Sequence, residues 1–152
     1  MTEFNPTFVR IRVTVLLRGA DGKFCFVRHH KDGRSYWLLP GGGQNPFEPL
    51  EEAASREVQE ELNVKVTKFK FIALRESMNV KEKKHIQFPI FEGIDPDFSR
   101  IGIGNDTRLE GFDFFNSEEF MNIPIYPTIS SDLLKLSQSA QIDLFRTLDW
   151  IP

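Results

Sequence analysis

Cysteine is almost missing from this chain: Cys25 stands alone among 152 residues, so no internal disulfide can form and a reducing compartment is expected. Its neighbours at 23–27 read as a strand and offer nothing to activate a thiol, which favours a packed core side chain over a nucleophile. No apolar run approaches the roughly 18 residues needed to cross a bilayer. Residues 1–6 lack the basic stretch followed by an apolar run that marks a leader, so the expectation is a soluble, cytoplasmic protein with no membrane partner. Positive charge is not in excess either. The formal net charge is −3, and no dense basic cluster is visible, so no affinity for nucleic-acid backbones is expected. Histidine is scarce, and the adjacent His29 and His30 lack partners at metal-ligand spacing, which argues against zinc.

What the chain does have is phenylalanine, fifteen of them, within a 40% hydrophobic content that suffices for one substantial core. No repeat or linker divides it, and residues 1–152 read as a single domain. Residues 8–17 are rich in β-branched side chains and alternate Arg10 and Arg12 with Ile11 and Val13, as a half-exposed strand does. A Gly-Ala-Asp-Gly turn at 19–22 leads to a second strand at 23–30, and residues 31–34 break it before 36–39 deliver the chain into a glycine turn. Strands are expected again at 64–75 and 84–93, joined by the polar segment 76–83, and at 109–115. Residues 94–108, with Gly102, Gly104, Asn105 and Asp106, read as an irregular loop over a site. Asn116 or Ser117 caps a short helix, and Ser130 or Ser131 caps a last helix running toward Phe145. This order gives an α+β fold with a mixed sheet between helices.

The segment 42–64, GGQNPFEPLEEAASREVQEELNV, carries the chemistry. Three glycines after Pro40 make a turn whose backbone can approach a ligand, since no Cβ intervenes. A helix follows from about Glu48 to Leu62: Pro49 suits its first position, and Glu48, Glu51 and Glu52 suit the positive N-terminal end. At about 100° per residue, Leu50, Ala53, Ala54 and Val58 form the inward stripe, Glu57 and Glu61 fall inside it, and Glu60 lies at its edge. Three carboxylates brought together on an inward face call for a cation. Oxygen-only ligands select a hard one, magnesium or manganese.

The order Gly42, five residues, Glu48, seven residues, Arg56-Glu57-Val58, one residue, Glu60-Glu61, one residue, Asn63-Val64 resembles the Nudix box of the Nudix hydrolases. One position departs from it. The family usually has Gly where this chain has Asn63, and Asn is the next best residue for a left-handed helix end. The resemblance implies a Nudix-like α/β/α sandwich in which the box is a loop, helix and loop. It also implies a metal site made by Glu57, Glu61 and Glu60, with the Gly41 carbonyl oxygen as a further ligand, and a general base at Glu57 or on a later loop. Arg56 has the place of the box arginine that holds a carboxylate, with Glu48 as its expected partner and Glu52 and Glu60 within reach.

Outside the box, Glu110 and Asp113 stand where some family members supply another acidic ligand or base. Arg28 lies on a strand leading toward the active face, where a phosphate or ribose could meet it, and Tyr36, Trp37 and Phe47 could stack a base or sugar. The expected reaction is metal-dependent hydrolysis of the diphosphate linkage of a nucleoside diphosphate joined to another group. Sugar nucleotides such as ADP-ribose are favoured, giving a nucleoside monophosphate and a sugar phosphate. The alternatives are a nucleoside triphosphate pyrophosphatase that clears modified nucleotides and a non-catalytic nucleotide-binding module. A small nucleotide is the expected partner, and a homodimer is compatible with the sugar-nucleotide class.

Overall fold

A computed structural model describes residues 8–104 and 109–150. Strand β1 (Val9–Leu16) is an interior strand of a five-stranded sheet, second from one edge, and its side chains alternate between two cores. Val13, Val15 and Leu17 face one cluster and Leu16 faces the other, because successive strand residues point to opposite faces. The next strand, β2 (Phe24–Lys31), repeats the division, with Cys25 and Val27 on the first side and Phe24 and Phe26 on the second. Each strand therefore serves two apolar layers. That explains why the end of β1 and the start of β2 are buried on both faces, although residues 8–17 read as a half-exposed strand.

The turn at 32–33 closes a two-residue hairpin from β2 to β3 (Arg34–Leu38), with Asp32 and Gly33 both at positive φ. The glycines expected to form a turn instead make a short strand, β4 (Gly41–Gly43), antiparallel to β1. Helix α1 (Leu50–Leu62) follows, and then the long hairpin of β5 (Lys68–Asn79) and β6 (Lys84–Ile94). Strand β7 (Leu109–Phe115) covers the expected residues, and α2 (Ser117–Phe120) opens on a reciprocal capping box between Asn116 and Glu119. Helix α3 (Ser130–Ser137) is shorter than expected and is preceded by Ile129 at its cap. The chain after it forms a strand, β8 (Phe145–Leu148), parallel to β5.

The strands divide into a mixed sheet of order β4-β1-β6-β5-β8 and an antiparallel sheet of order β3-β2-β7, where a single sheet was expected. Helix α1 seals one core through Ala53, Ala54, Val58 and Leu62. Phe120 of α2 and Leu133 and Leu136 of α3 seal the other. The result is an α+β sandwich with strands between helices, in agreement with the expectation. Cys25 is fully buried, and burial raises its thiol pKa to about 12, as befits a core residue. Among the described residues no helix is long and apolar enough to cross a membrane.

Candidate active site

The floor of the site is the contact between β4 and α1. Gly41 sits at positive φ against the β1 backbone, where a Cβ would collide with the Val13 carbonyl. At Gly42 a Cβ would collide with the Glu57 carboxylate instead. Two glycines thus let one strand lie against β1 while a glutamate from α1 lies on it. Glu61 is buried at 3% exposure, and its Oε1 accepts a 2.7 Å hydrogen bond from the Gly41 N–H. Burial raises the pKa of Glu57; Arg56 opposes that rise, and Glu61 and Glu60 add to it by repulsion.

Arg56 organises the acids around it. Its Nε and Nη2 grip the two Glu48 oxygens at 2.7 and 2.9 Å, its Nη1 reaches Glu57 at 2.8 Å and Glu60 at 3.3 Å, and Nη2 also donates to the Gly43 carbonyl at 2.9 Å. The two-pronged pairing holds the Glu48 carboxyl down at about 2, through hydrogen bonds from Arg56 and the Asn45 N–H. Glu48 itself precedes the helix, which starts at Leu50 with Pro49 as its extended cap, two residues later than expected. Glu60 differs from its expected placement. Its side chain is 58% exposed and turned to Arg56, so two carboxylates and not three share the inward face. Among the described residues no three His, Cys, Asp or Glu side chains form a ready-made metal site.

Glu57 and Glu61 open into a cavity of about 810 Å³. Its walls bring together residues that are far apart in the chain. Arg12 of β1 faces the two glutamates. Burial lowers its pKa against the pull of Glu61 and Glu57, and among the described residues the only hydrogen bonds its guanidinium donates are long ones, to Thr14 Oγ1 at 3.4 Å and the Leu39 carbonyl at 3.5 Å. His29 of β2 places Nε2 3.8 Å from Glu61 Oε2, beyond hydrogen-bond reach. Arg10, Lys31, Asp32, Arg34, Glu82, Lys84, Tyr126 and Trp150 complete the parts of the wall that carry charge or rings, together with Tyr36, and Lys84 pairs with Glu82 at 3.4 Å.

Of the four residues expected to meet substrate, Tyr36 lines this cavity. Arg28 and Glu110 pair with each other at 2.9 Å on the opposite side of β2, and His30 joins Glu110 at 3.0 Å. Asp113 is exposed on β7 and accepts from the Phe114 N–H. Trp37 packs edge-on against Phe115 in the second core, and Phe47 is fully exposed. The segment read as a loop over the site is, through Gly104, fastened to the end of α1: Gly102 N–H donates to the Leu62 carbonyl and Gly104 N–H to that of Glu61, both at 2.9 Å. Asn105 and Asp106 lie outside the described residues. Sequence reasoning missed Arg12, His29 and Trp150 as wall residues. For Arg12 a signal existed, since period-two spacing puts Arg10, Arg12 and Thr14 on one strand face, opposite the glycines.

A two-layered strand core, a loop-helix-loop carrying the acids, and an arginine-ordered carboxylate cluster define a class of protein, and comparison with known proteins gives the same one. The family model of the NUDIX domain matches residues 9–135, and the chain belongs to that family. It is 30% identical over 108 residues to a protein named nucleoside triphosphatase NudI from Enterobacter sp. (strain 638), covering 70% of this chain and 72% of that one. It is 40% identical over 65 residues to an RNA pyrophosphohydrolase of Caulobacter vibrioides, covering 42% of this chain and only 38% of that relative. A solved MutT protein from Bacillus halodurans superposes with a TM-score of 0.76 at 15% identity, over 95% of this chain and 92% of that one, a likeness of fold. Members of this family generally use divalent metal ions.

Proposed function

We propose that the protein hydrolyses the phosphoanhydride of nucleoside triphosphates, releasing a nucleoside monophosphate and pyrophosphate. One observation carries this choice: Arg10, Arg12, Lys31, Arg34 and Lys84 line the same cavity as Glu57 and Glu61, and they outnumber the two further acids of its wall, Asp32 and Glu82. Along the sequence no dense basic cluster is visible. Strand β1, the β2–β3 hairpin and β6 supply one from separate parts of the chain, and a polyanionic tail with a terminal phosphate suits it. The relative named as a nucleoside triphosphatase supports the same reading.

The paired oxygens of Glu57 and Glu61 and the pressed-in glycine strand fit a hard divalent cation, magnesium or manganese, held by these two carboxylates with the Gly41 carbonyl and with Glu60 once it leaves Arg56. When bound, such an ion relieves phosphate charge and acidifies water. The chain's own groups do the rest. Glu57, its pKa raised by burial, accepts the proton of the attacking water. Arg56 orients Glu57 through the 2.8 Å hydrogen bond and is itself fixed by Glu48. Arg12 and the neighbouring cations hold the phosphate oxygens and stabilise the departing pyrophosphate. The lone buried cysteine keeps a cytoplasmic setting part of this reading.

Incubating nucleoside triphosphates, ADP-ribose and other sugar nucleotides side by side with magnesium, and identifying products by chromatography, tests the proposal. Triphosphate turnover with pyrophosphate release is expected to lead. Faster cleavage of a sugar nucleotide to two monophosphate products would restore the first preference, and release of orthophosphate from triphosphates would reject the bond assignment.

A further inference from the structure

Glu61 is fixed at one oxygen only. Its Oε1 accepts from the Gly41 N–H at 2.7 Å, while Oε2 accepts no hydrogen bond among the described residues. Opposite Oε2 stands His29, whose Nε2 is 3.8 Å away, with the two side chains only 11% and 4% exposed. That nitrogen is buried and has no hydrogen-bond partner among the described residues. Native proteins leave few buried polar atoms unsatisfied, and each one calls for a reason. Arg12, the cation that shares this wall, donates to Thr14 and Leu39 and leaves Oε2 open.

The fold aims His29 at this spot from outside the cavity. The ladder between β2 and β7 slips here: Arg28 faces Gly111, His29 faces Leu109, and Glu110 is the extra residue of a bulge, a device that redirects side chains. Glu110 is then gripped on both sides of His29, by Arg28 Nε at 2.9 Å and His30 Nδ1 at 3.0 Å, and Ser35 Oγ donates to it at 3.0 Å. Successive strand residues point to opposite faces, so tying residues 28 and 30 down on the far side of β2 holds residue 29 toward Glu61. Tyr36, paired with His29 across β2 and β3, backs the imidazole with ring centroids 5.9 Å apart.

We propose that His29 is a positioning residue for Glu61: closing the 3.8 Å gap to about 3.2 Å lets the imidazole Nε2–H donate to Oε2, which fixes the plane of the carboxylate from both oxygens for a divalent cation. This rests on the preceding reading only in taking Glu61 to hold that cation. A carboxylate oxygen has a second lone pair, so the hydrogen bond and the cation do not compete for it. Carboxylates that ligate metals are themselves hydrogen-bonded, and loss of that contact weakens metal binding about 10- to 100-fold.

Two variants separate the donor from the packing. His29→Leu fills the space without a donor, and His29→Gln puts an amide N–H near the place of Nε2. Mn2+ binding to the nucleotide-free protein, followed by electron paramagnetic resonance of the free ion and by calorimetry, should weaken about tenfold in His29→Leu and return to within about threefold of wild type in His29→Gln. With magnesium and a triphosphate, His29→Leu should lose turnover at limiting metal and recover most of it at high metal, with KM for the nucleotide nearly constant. In EDTA the leucine variant removes an unsatisfied buried polar atom and should melt no lower than wild type. Equal Mn2+ affinity in all three proteins would overturn the assignment and leave the metal site standing. A glutamine variant as weak as the leucine one would also overturn it, as would a loss of stability in EDTA that parallels the loss of Mn2+ affinity. Absence of Mn2+ binding by wild type would reject the metal site itself, and the role of His29 with it.

Discussion

Glu61 and Glu48 sit in the same box, yet their surroundings assign them opposite tasks. Glu61 is buried, with one oxygen on the Gly41 N–H and the other facing the cavity, so Glu61→Gln keeps both size and an acceptor for Gly41 while removing the charge. Turnover is expected to fall at least about 100-fold, with the melting temperature changed by only a few degrees. Near-normal activity in this variant would remove Glu61 from the reaction. Glu48, by contrast, is tied to Arg56 and the Asn45 N–H and titrates at about 2 instead of its usual 4.5. A carboxyl with a depressed native pKa adds stability that is fully present above about pH 4.5 and is lost as the pH falls through about 2. Urea midpoints measured across that window should decline in wild type and decline less steeply in Glu48→Gln. Parallel slopes would show that the Arg56 pairing does not hold Glu48 in solution.

At the scale of elements, α1 was legible because its signals are local: an apolar stripe, acids at the positive end, and a residue that tolerates left-handed backbone at the stop. Asn63 does end the helix at φ 55 and ψ 38, where its N–H meets the Gln59 carbonyl and its Nδ2 reaches the Arg100 carbonyl at 3.1 Å. Asn63→Val should therefore cost about 1–2 kcal/mol through the backbone alone. Asn63→Gly gains conformational ease, loses the Arg100 contact and should come out within about 0.5 kcal/mol of wild type. Chemical denaturation of the two variants checks this, and equal stabilities would refute the strain argument. The glycine strand and β8 were not legible for a different reason. Three glycines carry no side-chain pattern, and Phe145–Leu148 is too short to show one; both become strands only through their partners, β1 and β5. Glu60 was misplaced because helix periodicity fixes the direction of a side chain but not its choice between the cavity and Arg56 four residues back.

The whole molecule depends on a connection that no local pattern announces. Arg75 of β5 is fully buried and holds Asp132 of α3 with two hydrogen bonds, at 2.9 and 3.1 Å, while Arg146 of β8 reaches the same carboxylate at 2.8 Å. Two arginines and one aspartate thus fasten the last helix and the last strand to the central hairpin, and Trp150 follows that strand by two residues. The candidate site was half legible for the same reason: Glu57 and Glu61 lie within one helix, whereas its cations and rings come from β1, β2, β3, β6, the segment between α2 and α3 and residue 150, and only the folded topology joins them. Removing the shared carboxylate leaves Arg75 as an uncompensated buried charge, so Asp132→Ala should destabilise the protein by about 3–5 kcal/mol in urea denaturation. Replacing both members of the buried pair, as in Arg75→Met with Asp132→Leu, removes the stranded charge and should recover most of that loss. Loosening β8 also frees the indole that ends the cavity, so Asp132→Ala should shift tryptophan emission toward that of exposed indole before global unfolding, a shift absent when Trp150→Phe is combined with it. If Asp132→Ala cost less than about 1 kcal/mol, or if the double replacement were no more stable than the single one, the fastening of the chain end would have to be assigned to apolar packing of Leu133, Leu136 and Leu148 instead.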